Sequence, residues 1–170
     1  MLPIKMYTDG SSDNIKKKDA GWAFVMNVDS KPIVFYGHLP PPSTNNIGEM
    51  FAVAFGLRIS KLLKRYCIIY SDSEYTINSL GKWRMNWETN GMPNKNQELI
   101  RMLWRANDEH GKAELRWVKG HSGNKGNELA DEYAGKGRKK DLVNMDGKYI
   151  KLISFNDMQE AEDYLLRLGV

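Results

Sequence analysis

The chain has 170 residues, with 25 Lys+Arg against 21 Asp+Glu and a formal net charge of +4. This length predicts one domain with room for an appendage, and 41% hydrophobic with 27% charged residues excludes a disordered or fibrous chain. A single cysteine excludes an internal disulfide framework and a multi-cysteine zinc site, and without a long apolar run we expect no membrane partner and a cytoplasmic location.

Three strand patterns open the chain. Residues 4–8 alternate between apolar and polar types, and residues 21–28 and 31–37 are rich in aromatic and β-branched residues. The short connection Asp29-Ser30 between the second and third patterns is typical of a hairpin. We therefore predict an antiparallel meander of three strands.

The middle of the chain alternates between helix and strand patterns. A helix is predicted after the capping residues 43–46, because apolar residues recur at helical spacing up to residue 62. Residues 66–70 are typical of a strand buried on both faces. Three helices, a strand and a last core helix are then predicted at 74–80, 83–87, 97–109, 113–119 and 127–135. This order predicts the α/β class, with a five-stranded mixed sheet of three antiparallel and then two parallel strands, flanked by helices.

The C-terminal part of the chain differs in charge from the rest. Residues 1–140 carry a net charge of +7, whereas residues 141–170 carry −3. This asymmetry fits a nucleic-acid-binding body with an acidic tail, but it also arises by chance in a chain of this size. Residues 149–155 are strand-like, and residues 158–168 form an amphipathic helix pattern that Gly169 ends.

Four acidic residues lie where the predicted strands end or within the predicted helices: Asp9, Glu49, Asp72 and Asp131. If the first and central strands are neighbours, Asp9 and Asp72 emerge at the same edge of the sheet, where ligand sites gather. Oxygen ligands without a thiolate suit Mg²⁺ or Mn²⁺, and two such ions can promote phosphodiester cleavage. Each acid alone also fits a turn, a helix end or a solvated helix position, so spacing alone leaves the chemistry open.

Short segments around these acids form a recognisable set: Tyr7–Ser11, Thr44–Asn46 with Glu49, Ser71–Ser73, Trp117–Gly123 and Asn127–Asp131. Their residue types, order and separation resemble type 1 ribonuclease H, the family that cuts the RNA strand of RNA–DNA hybrids. The resemblance covers residues 1–137 and implies a catalytic domain with the ribonuclease H-like fold. Residues 138–170, a strand and an amphipathic helix, lie outside the match as a C-terminal extension.

The resemblance implies a metal-dependent endonuclease that leaves 3′-hydroxyl and 5′-phosphate ends. Two Mg²⁺ ions, or Mn²⁺ as a substitute, would be bound by four catalytic carboxylates: Asp9, Glu49, Asp72 and Asp131. His121 matches the family's catalytic histidine, which assists proton transfer or product release, and its glycine neighbours supply a flexible loop. A lone loop histidine is otherwise an ordinary surface residue, and we expect this of His38 and His110.

Recognition of a hybrid requires contacts to the 2′-hydroxyl groups of the RNA strand. Asn45 and Asn46 can both donate and accept hydrogen bonds, and the family's matching asparagines make these contacts. The alternative role for both is helix capping. Thr44 and Asn96 match the family's pocket for a DNA phosphate, although Asn96 also fits the N-cap of a helix.

An aromatic segment is the expected contact to the DNA strand. Trp83, with Lys82 and Arg84 beside it, matches the family's segment next to the DNA sugars. Trp83 and Trp87 lie on one helix face, so a packing stripe is the alternative.

The sequence departs from the family in three places. The loop after Ser11 lacks the usual Gly/Pro-rich stretch, so we expect Asn14 to supply the RNA contact and Lys16–Lys18 to form a basic patch. Glu74 stands where a neutral amide is usual, and Glu88–Gly91 replaces the basic protrusion of some members.

Two other functions stay open on sequence alone. One is another nuclease of the same superfamily or the ribonuclease H domain of a reverse transcriptase, although the start at Met1 just before the first strand favours a free-standing protein. We expect that protein to be a monomer. The other is a non-catalytic module that binds hybrids or double-stranded RNA, which would have no need of four converging carboxylates. The extension either packs on the domain, docks a replication partner, or limits non-specific binding through its acidic face.

Overall fold

The computed structural model describes residues 2–13, 19–28, 30–143 and 149–169, which form six strands and six helices. The strands are β1 (Ile4–Ser12), β2 (Ala20–Met26), β3 (Ile33–Leu39), β4 (Cys67–Ser71), β5 (Ala113–Trp117) and β6 (Tyr149–Ser154). The helices are α1 (Asn45–Lys61), α2 (Glu74–Leu80), α3 (Arg84–Asn90), α4 (Gln97–His110), α5 (Lys125–Arg138) and α6 (Met158–Arg167). Of these described helices, none is both long and apolar enough to cross a membrane.

The strands form one mixed sheet in the order β5-β4-β1-β2-β3-β6. β1, β2 and β3 pair antiparallel, and β4 and β5 extend the sheet in parallel from β1, which confirms the predicted meander and parallel pair. The predicted number of five strands is wrong, because β6 pairs in parallel with β3. The added strand satisfies the backbone groups that β3 would otherwise expose at the edge of the sheet.

Helices cover both faces of the sheet. α1 lies between the sheet and helices α4 and α6, so every residue from 48 to 58 is buried. Its apolar side chains pack with Trp22 and Phe24 of the sheet in the larger core cluster. α5 covers the other face, where Ala130 and Ala134 pack against the inward side chains of β2 and β3. The prolonged apolar character of α1 therefore follows from burial on two sides.

The C-terminal elements share the core of the main body. Phe155, Ala161 and Leu165 are buried in the cluster that contains α1. Phe155 packs edge-on against Phe51 with ring centroids 5.6 Å apart, and Tyr164 lies parallel to Phe55 at 6.4 Å. β6 thus extends the sheet beyond β3, and α6 covers α1.

Two histidines expected at the surface have structural partners. His38 is buried with only 6% of its surface exposed, and its Nε2 lies 2.9 Å from Asp19 Oδ2. His110 is half-buried with its Nε2 2.9 Å from Ser60 Oγ. The expectation is wrong because both partners lie far away along the chain and come close only through the pairing of strands and helices.

Candidate active site

The end of β1 places Asp9 in the interior. Asp9 is 2% exposed, and one of its carboxylate oxygens accepts a hydrogen bond from the Gly10 backbone N–H at 2.8 Å. β1 lies in the middle of the sheet between β2 and β4, so its carboxyl end is enclosed by neighbouring elements. A buried carboxylate with one backbone donor requires further compensation from a proton or a cation.

Glycines allow α1 to begin directly against this strand end. A Cβ at Gly10 would lie 2.5 Å from the Glu49 backbone nitrogen, and one at Gly48 would lie 2.6 Å from the Gly21 carbonyl oxygen. Only glycine permits such a close approach of backbone to backbone. The contact brings Glu49, which is 3% exposed, to the side chain of Asp9.

Asp72 reaches the same place from the end of β4. The Ser71 carbonyl accepts a hydrogen bond from the Val118 N–H, and the Asp72 carbonyl accepts one from the Trp117 indole at 3.2 Å. Ser73, rather than Asp72, caps α2, since its hydroxyl accepts from the Thr76 N–H. The Asp72 carboxylate is thus not required as a helix cap.

The three carboxylates form one cluster. Ligand oxygens of Asp9, Glu49 and Asp72 all lie within 4.8 Å of one another. Burial, together with the charge of Asp72, raises the pKa of Asp9 to about 8. Burial first, and then the charge of Asp9, raises the pKa of Glu49 well above its ordinary value. Without a cation, the cluster therefore retains protons at neutral pH.

The donor set fits a hard divalent cation. Glu49 Oε2 is buried without a hydrogen-bond partner among the described residues, and such orphaned atoms are rare in folded proteins. Three converging carboxylates and no thiolate or imidazole form the oxygen-only set that suits Mg²⁺ or Mn²⁺ rather than zinc.

Asp131 lies at the border of this cluster. It is exposed on α5 and is not one of the three mutually close ligands. Its charge nevertheless contributes to the raised pKa of Asp9, after burial and Asp72. α5 comes this close because Gly126 packs on the ring of Tyr7, where a side chain would clash. Three of the predicted acids therefore form one close cluster, and the fourth, Asp131, lies beside it.

His121 lies in the loop between β5 and α5. A Cβ at Gly120 would lie 3.1 Å from Asp72 Oδ2, so the loop passes directly beside the carboxylates. His121 itself is exposed and has a φ of +54°, which is uncommon for a residue with a side chain. The loop therefore presents an imidazole to solvent next to the cluster.

At the start of α1, the residue that caps the helix differs from the two asparagines that are predicted to contact RNA. Thr44 is the N-cap, with its hydroxyl accepting a hydrogen bond from the Ile47 N–H at 3.3 Å. Asn45 and Asn46 are the first two residues of the helix, one exposed and the other half-buried. Because Thr44 caps the helix, neither asparagine is needed for that role.

Asn96 and Trp83 are linked through Tyr75. Asn96 occupies the N-cap position of α4 with a φ of +63°, but its side chain makes no capping bond and instead donates to the Tyr75 hydroxyl at 3.4 Å. The Tyr75 ring contacts Trp83 edge-on, and Trp83 packs on Trp87 with centroids 5.4 Å apart. The aromatic stripe is present, and half-buried Trp83 precedes α3 rather than lying within it.

The basic residues expected near the substrate are Arg84 and the Lys16–Lys18 patch. Arg84 forms a two-pronged ion pair with Asp108, both bonds being 2.7 Å, and its guanidinium lies over the Trp104 ring. Its charge is thus engaged within the protein. Asn14 and the Lys16–Lys18 patch lie outside the described residues.

Sequence reasoning missed the residues that act by being small or buried. Gly10, Gly48 and Gly126 set the approach of α1 and α5 to the strands. Asn127 is buried, and its Oδ1 has no hydrogen-bond partner in the part of the chain that the structure describes. The only sequence signal was the position of these residues beside the acidic motifs.

Gly48→Ala is expected to destabilise the protein by about 1–3 kcal/mol and to weaken Mn²⁺ binding, because the new methyl group displaces the first turn of α1. Thermal unfolding and Mn²⁺ titration measure both effects. Gly135→Ala is the matched control, since a Cβ there meets nothing within 4 Å on α5 and should be neutral or stabilising. Equal melting temperatures for the two variants would contradict the close approach.

The contribution of Asp9 to the stability of the metal-free protein is expected to fall between pH 3.8, the ordinary pKa of its carboxyl, and about pH 8. The pKa of Asp9 is raised to about 8, so the folded state binds this proton more tightly than the unfolded chain, and that stabilisation is lost as the pH rises towards 8. Glu49→Gln removes one of the crowded charges. In EDTA at pH 8 it should melt at least about 3 °C above the parent, or ~1 kcal/mol, with a flatter pH profile. Identical profiles would mean that the acids are not mutually destabilising.

Comparisons with known proteins identify the family to which this chain is similar. The family model described as RNase H matches residues 3–139. A protein named Ribonuclease H from Bordetella avium is 36% identical over 142 residues, covering 79% of this chain and 89% of the relative. One with the same name from Francisella tularensis subsp. novicida is 36% identical over 138 residues, covering 76% and 87% of the two chains.

Solved structures share the fold at lower identity. A foamy viral protease-reverse transcriptase in complex with dsDNA matches with a TM-score of 0.68 at 22% identity, covering 82% of this chain and 99% of that one. The native prototype foamy virus protease-reverse transcriptase gives 0.66 at 23% identity, over 83% of this chain and 21% of that one. These likenesses show a shared fold. From the family model and the relatives above 30% identity, the chain belongs to the ribonuclease H family of enzymes.

Proposed function

We propose that this enzyme hydrolyses the RNA strand of RNA–DNA hybrids with two divalent metal ions, leaving 3′-hydroxyl and 5′-phosphate ends. Membership of the family supports hydrolysis of the RNA strand. The observation that carries the metal-dependent mechanism is the cluster of Asp9, Glu49 and Asp72, with ligand oxygens within 4.8 Å of one another.

Asp9, Glu49 and Asp72 would hold the first metal ion between them. Asp131, on the exposed side, would be the additional carboxylate ligand for the second metal ion. When bound, Mg²⁺ or Mn²⁺ supplies positive charge that favours ionisation of the attacking water and offsets charge on the leaving oxygen. The carboxylates must give up their protons to bind, and the raised pKa of Asp9 and Glu49 makes binding tighter at higher pH.

His121 is proposed to move a proton at the leaving 3′-oxygen or to assist release of the product. Its loop lies beside Asp72 through Gly120, and the imidazole is exposed to an incoming strand. An imidazole can serve either as acid or as base near neutral pH.

The first residues of α1 are proposed to distinguish RNA from DNA. Asn45 and Asn46 stand at the helix N-terminus, three or four residues before Glu49, and can hydrogen-bond the 2′-hydroxyls that only RNA offers. Thr44 and Asn96 would receive a phosphate of the DNA strand, and Trp83 would contact its sugars. Asn14 stays the proposed additional RNA contact.

The direct test is cleavage of a hybrid whose RNA strand carries a label at one end. Protein dialysed against EDTA should be inactive, and Mg²⁺ or Mn²⁺ should restore cleavage into fragments that end in a 3′-hydroxyl. Such fragments accept a poly(A) tail without phosphatase treatment, whereas 3′-phosphate ends do not. Cleavage in EDTA, or products with 3′-phosphates, would overturn the proposed mechanism. We also propose that the enzyme acts as a monomer in the cytoplasm.

A further inference from the structure

A basic pocket lies outside the carboxylate cluster, at the junction of β2, β3 and the C-terminal end of α5. Its volume is about 400 Å³. Its lining is Asp19, His38, Pro41, Arg138, Lys139 and Lys140, and we name it the Arg138 pocket. None of these residues belongs to the segments that carry the family resemblance.

The floor of the Arg138 pocket is a buried polar pair. The side chains of His38 and Asp19 are 7% and 8% exposed and meet at 2.9 Å. The other polar atom of each, His38 Nδ1 and Asp19 Oδ1, is buried without a hydrogen-bond partner among the described residues. Buried polar atoms in folded proteins are nearly always paired, so this floor leaves space for a polar partner that the described residues do not supply. Asp19 Oδ1 can only accept a hydrogen bond, which a phosphodiester cannot donate, so the preference for an anion rests on the rim.

The rim of the pocket is positively charged. Lys139 and Lys140 are exposed, and neither takes part in an ion pair within the described ranges. Arg138 is half-buried, donates to Ser11 Oγ at 3.4 Å and lies 4.0 Å from Asp13. The acidic Asp19 is held by His38 instead of by the lysines. The rim therefore attracts an anion, and its guanidinium and ammonium groups suit phosphate oxygens.

The pocket lies on the same face and edge of the sheet as the carboxylates. His38 of β3 pairs with Gly21 of β2, which in turn pairs with Ser11 of β1, so the three lie side by side across the sheet. Asp9 is two residues before Ser11 and therefore lies on the same face. Two strand spacings and two residues along a strand give roughly 12 Å between the Cα atoms of Asp9 and His38. On α5, Arg138 follows Asp131 by two turns on one face, or about 10.5 Å.

We propose that the Arg138 pocket binds a backbone phosphate of the same hybrid, a few base-pair steps from the bond that is cut. A separation of roughly 12 Å lies within a few base-pair steps of a duplex, each of which advances ~3.4 Å along the axis. The inference rests on the proposed function and adds a substrate subsite at the C-terminal end of α5. A free phosphate or nucleotide offers the same chemistry, so the test must separate the two sources.

The test is a salt titration of hybrid binding in the Asp72→Asn background, which keeps the hybrid intact. Lys139→Gln with Lys140→Gln should weaken binding of an 18-base-pair hybrid about 5–20-fold at 0.1 M salt and flatten the log–log salt slope by about 1. Lys5→Gln with Lys112→Gln is the charge-matched control. These exposed lysines lie near the N-terminal ends of β1 and β5, whereas the pocket lies near the C-terminal ends of β1 and β3. The control should leave both the affinity and the slope unchanged.

A scan of single methylphosphonates along both strands locates the phosphate. One neutralised position, a few steps from the cut, should weaken binding to the protein with the unaltered pocket and should not change binding to the double variant. Equal loss in both proteins at every position would overturn the proposal, as would an unchanged affinity of the double variant. Inorganic phosphate that binds more tightly than about 1 mM, in a manner abolished by the double variant while hybrid binding persists, would assign the pocket to a free anion. A parent chain that neither binds nor cleaves hybrid would overturn the proposed function itself.

Discussion

Asp72→Asn is expected to lower Mg²⁺-dependent cleavage of a hybrid on the order of 10³-fold or more, while hybrid affinity changes by less than about threefold. The amide keeps the shape and the half-buried position of the carboxylate but removes its charge from the cluster. The remaining pair, Asp9 and Glu49, is then crowded by less negative charge, so the pKa of each falls, although burial, the larger cause, keeps both raised. Single-turnover cleavage and a filter-binding titration measure the two effects.

The matched control for this change is Asp163→Asn. Asp163 lies on α6, away from the carboxylate cluster, where it accepts a hydrogen bond from Gln159 four residues before it. The same chemical change there should leave cleavage within about twofold, because a side-chain bond on a helix surface contributes only tenths of a kcal/mol. Retained cleavage by Asp72→Asn, or an equal loss in the control, would contradict the assignment of the metal ligands.

Leu165→Ala is expected to destabilise the protein by about 2–5 kcal/mol, and Phe155→Ala by about 3–5 kcal/mol. Both side chains are buried in the core that contains α1, Leu165 being 1% exposed. Leu166→Ala is the control, because this neighbouring side chain is 41% exposed and its truncation should cost less than about 0.5 kcal/mol. Denaturant unfolding of the three variants measures these differences.

Deletion of residues 141–170 should have a larger effect than either substitution. It removes β6 from the edge of β3, so that the backbone groups that pair Ile33–His38 with β6 become exposed, and it uncovers the side of α1 that α6 packs against. We expect the melting temperature to fall by more than about 10 °C. An unchanged melting temperature would show that the C-terminal elements do not stabilise the body and would favour a docking role for them.

Local sequence patterns predict much of this fold for a simple reason. Alternation and apolar runs depend on which faces of a strand are buried, and these patterns identified the meander and the central strand β4. α2 begins at Glu74 as predicted, since Ser73 is a strong cap whose effect is local. The sixth strand was visible as a pattern, but its partner was not, because pairing with β3 joins segments more than 100 residues apart.

The site shows the same division between local and distant information. The acidic motifs predicted the cluster, and three of the four acids meet within 4.8 Å. The sequence did not predict that Asp131 would stay exposed beside them, since this depends on how Gly126 seats α5 on Tyr7. It also gave no sign that Arg84 would be engaged by Asp108, 24 residues away, or that His38 would be buried against Asp19.

The proposed hydrolysis of RNA in hybrids is tested most directly by a side-by-side cleavage assay on three duplexes of one sequence: RNA–DNA hybrid, double-stranded RNA and double-stranded DNA. With Mg²⁺ present, we expect cleavage of the RNA strand of the hybrid alone, an intact DNA strand, and no product from any duplex in EDTA. Asp72→Asn should be inactive on all three. Cleavage of double-stranded DNA, comparable rates on hybrid and double-stranded RNA, or binding of the hybrid without cleavage would contradict the proposed hydrolysis of RNA in hybrids.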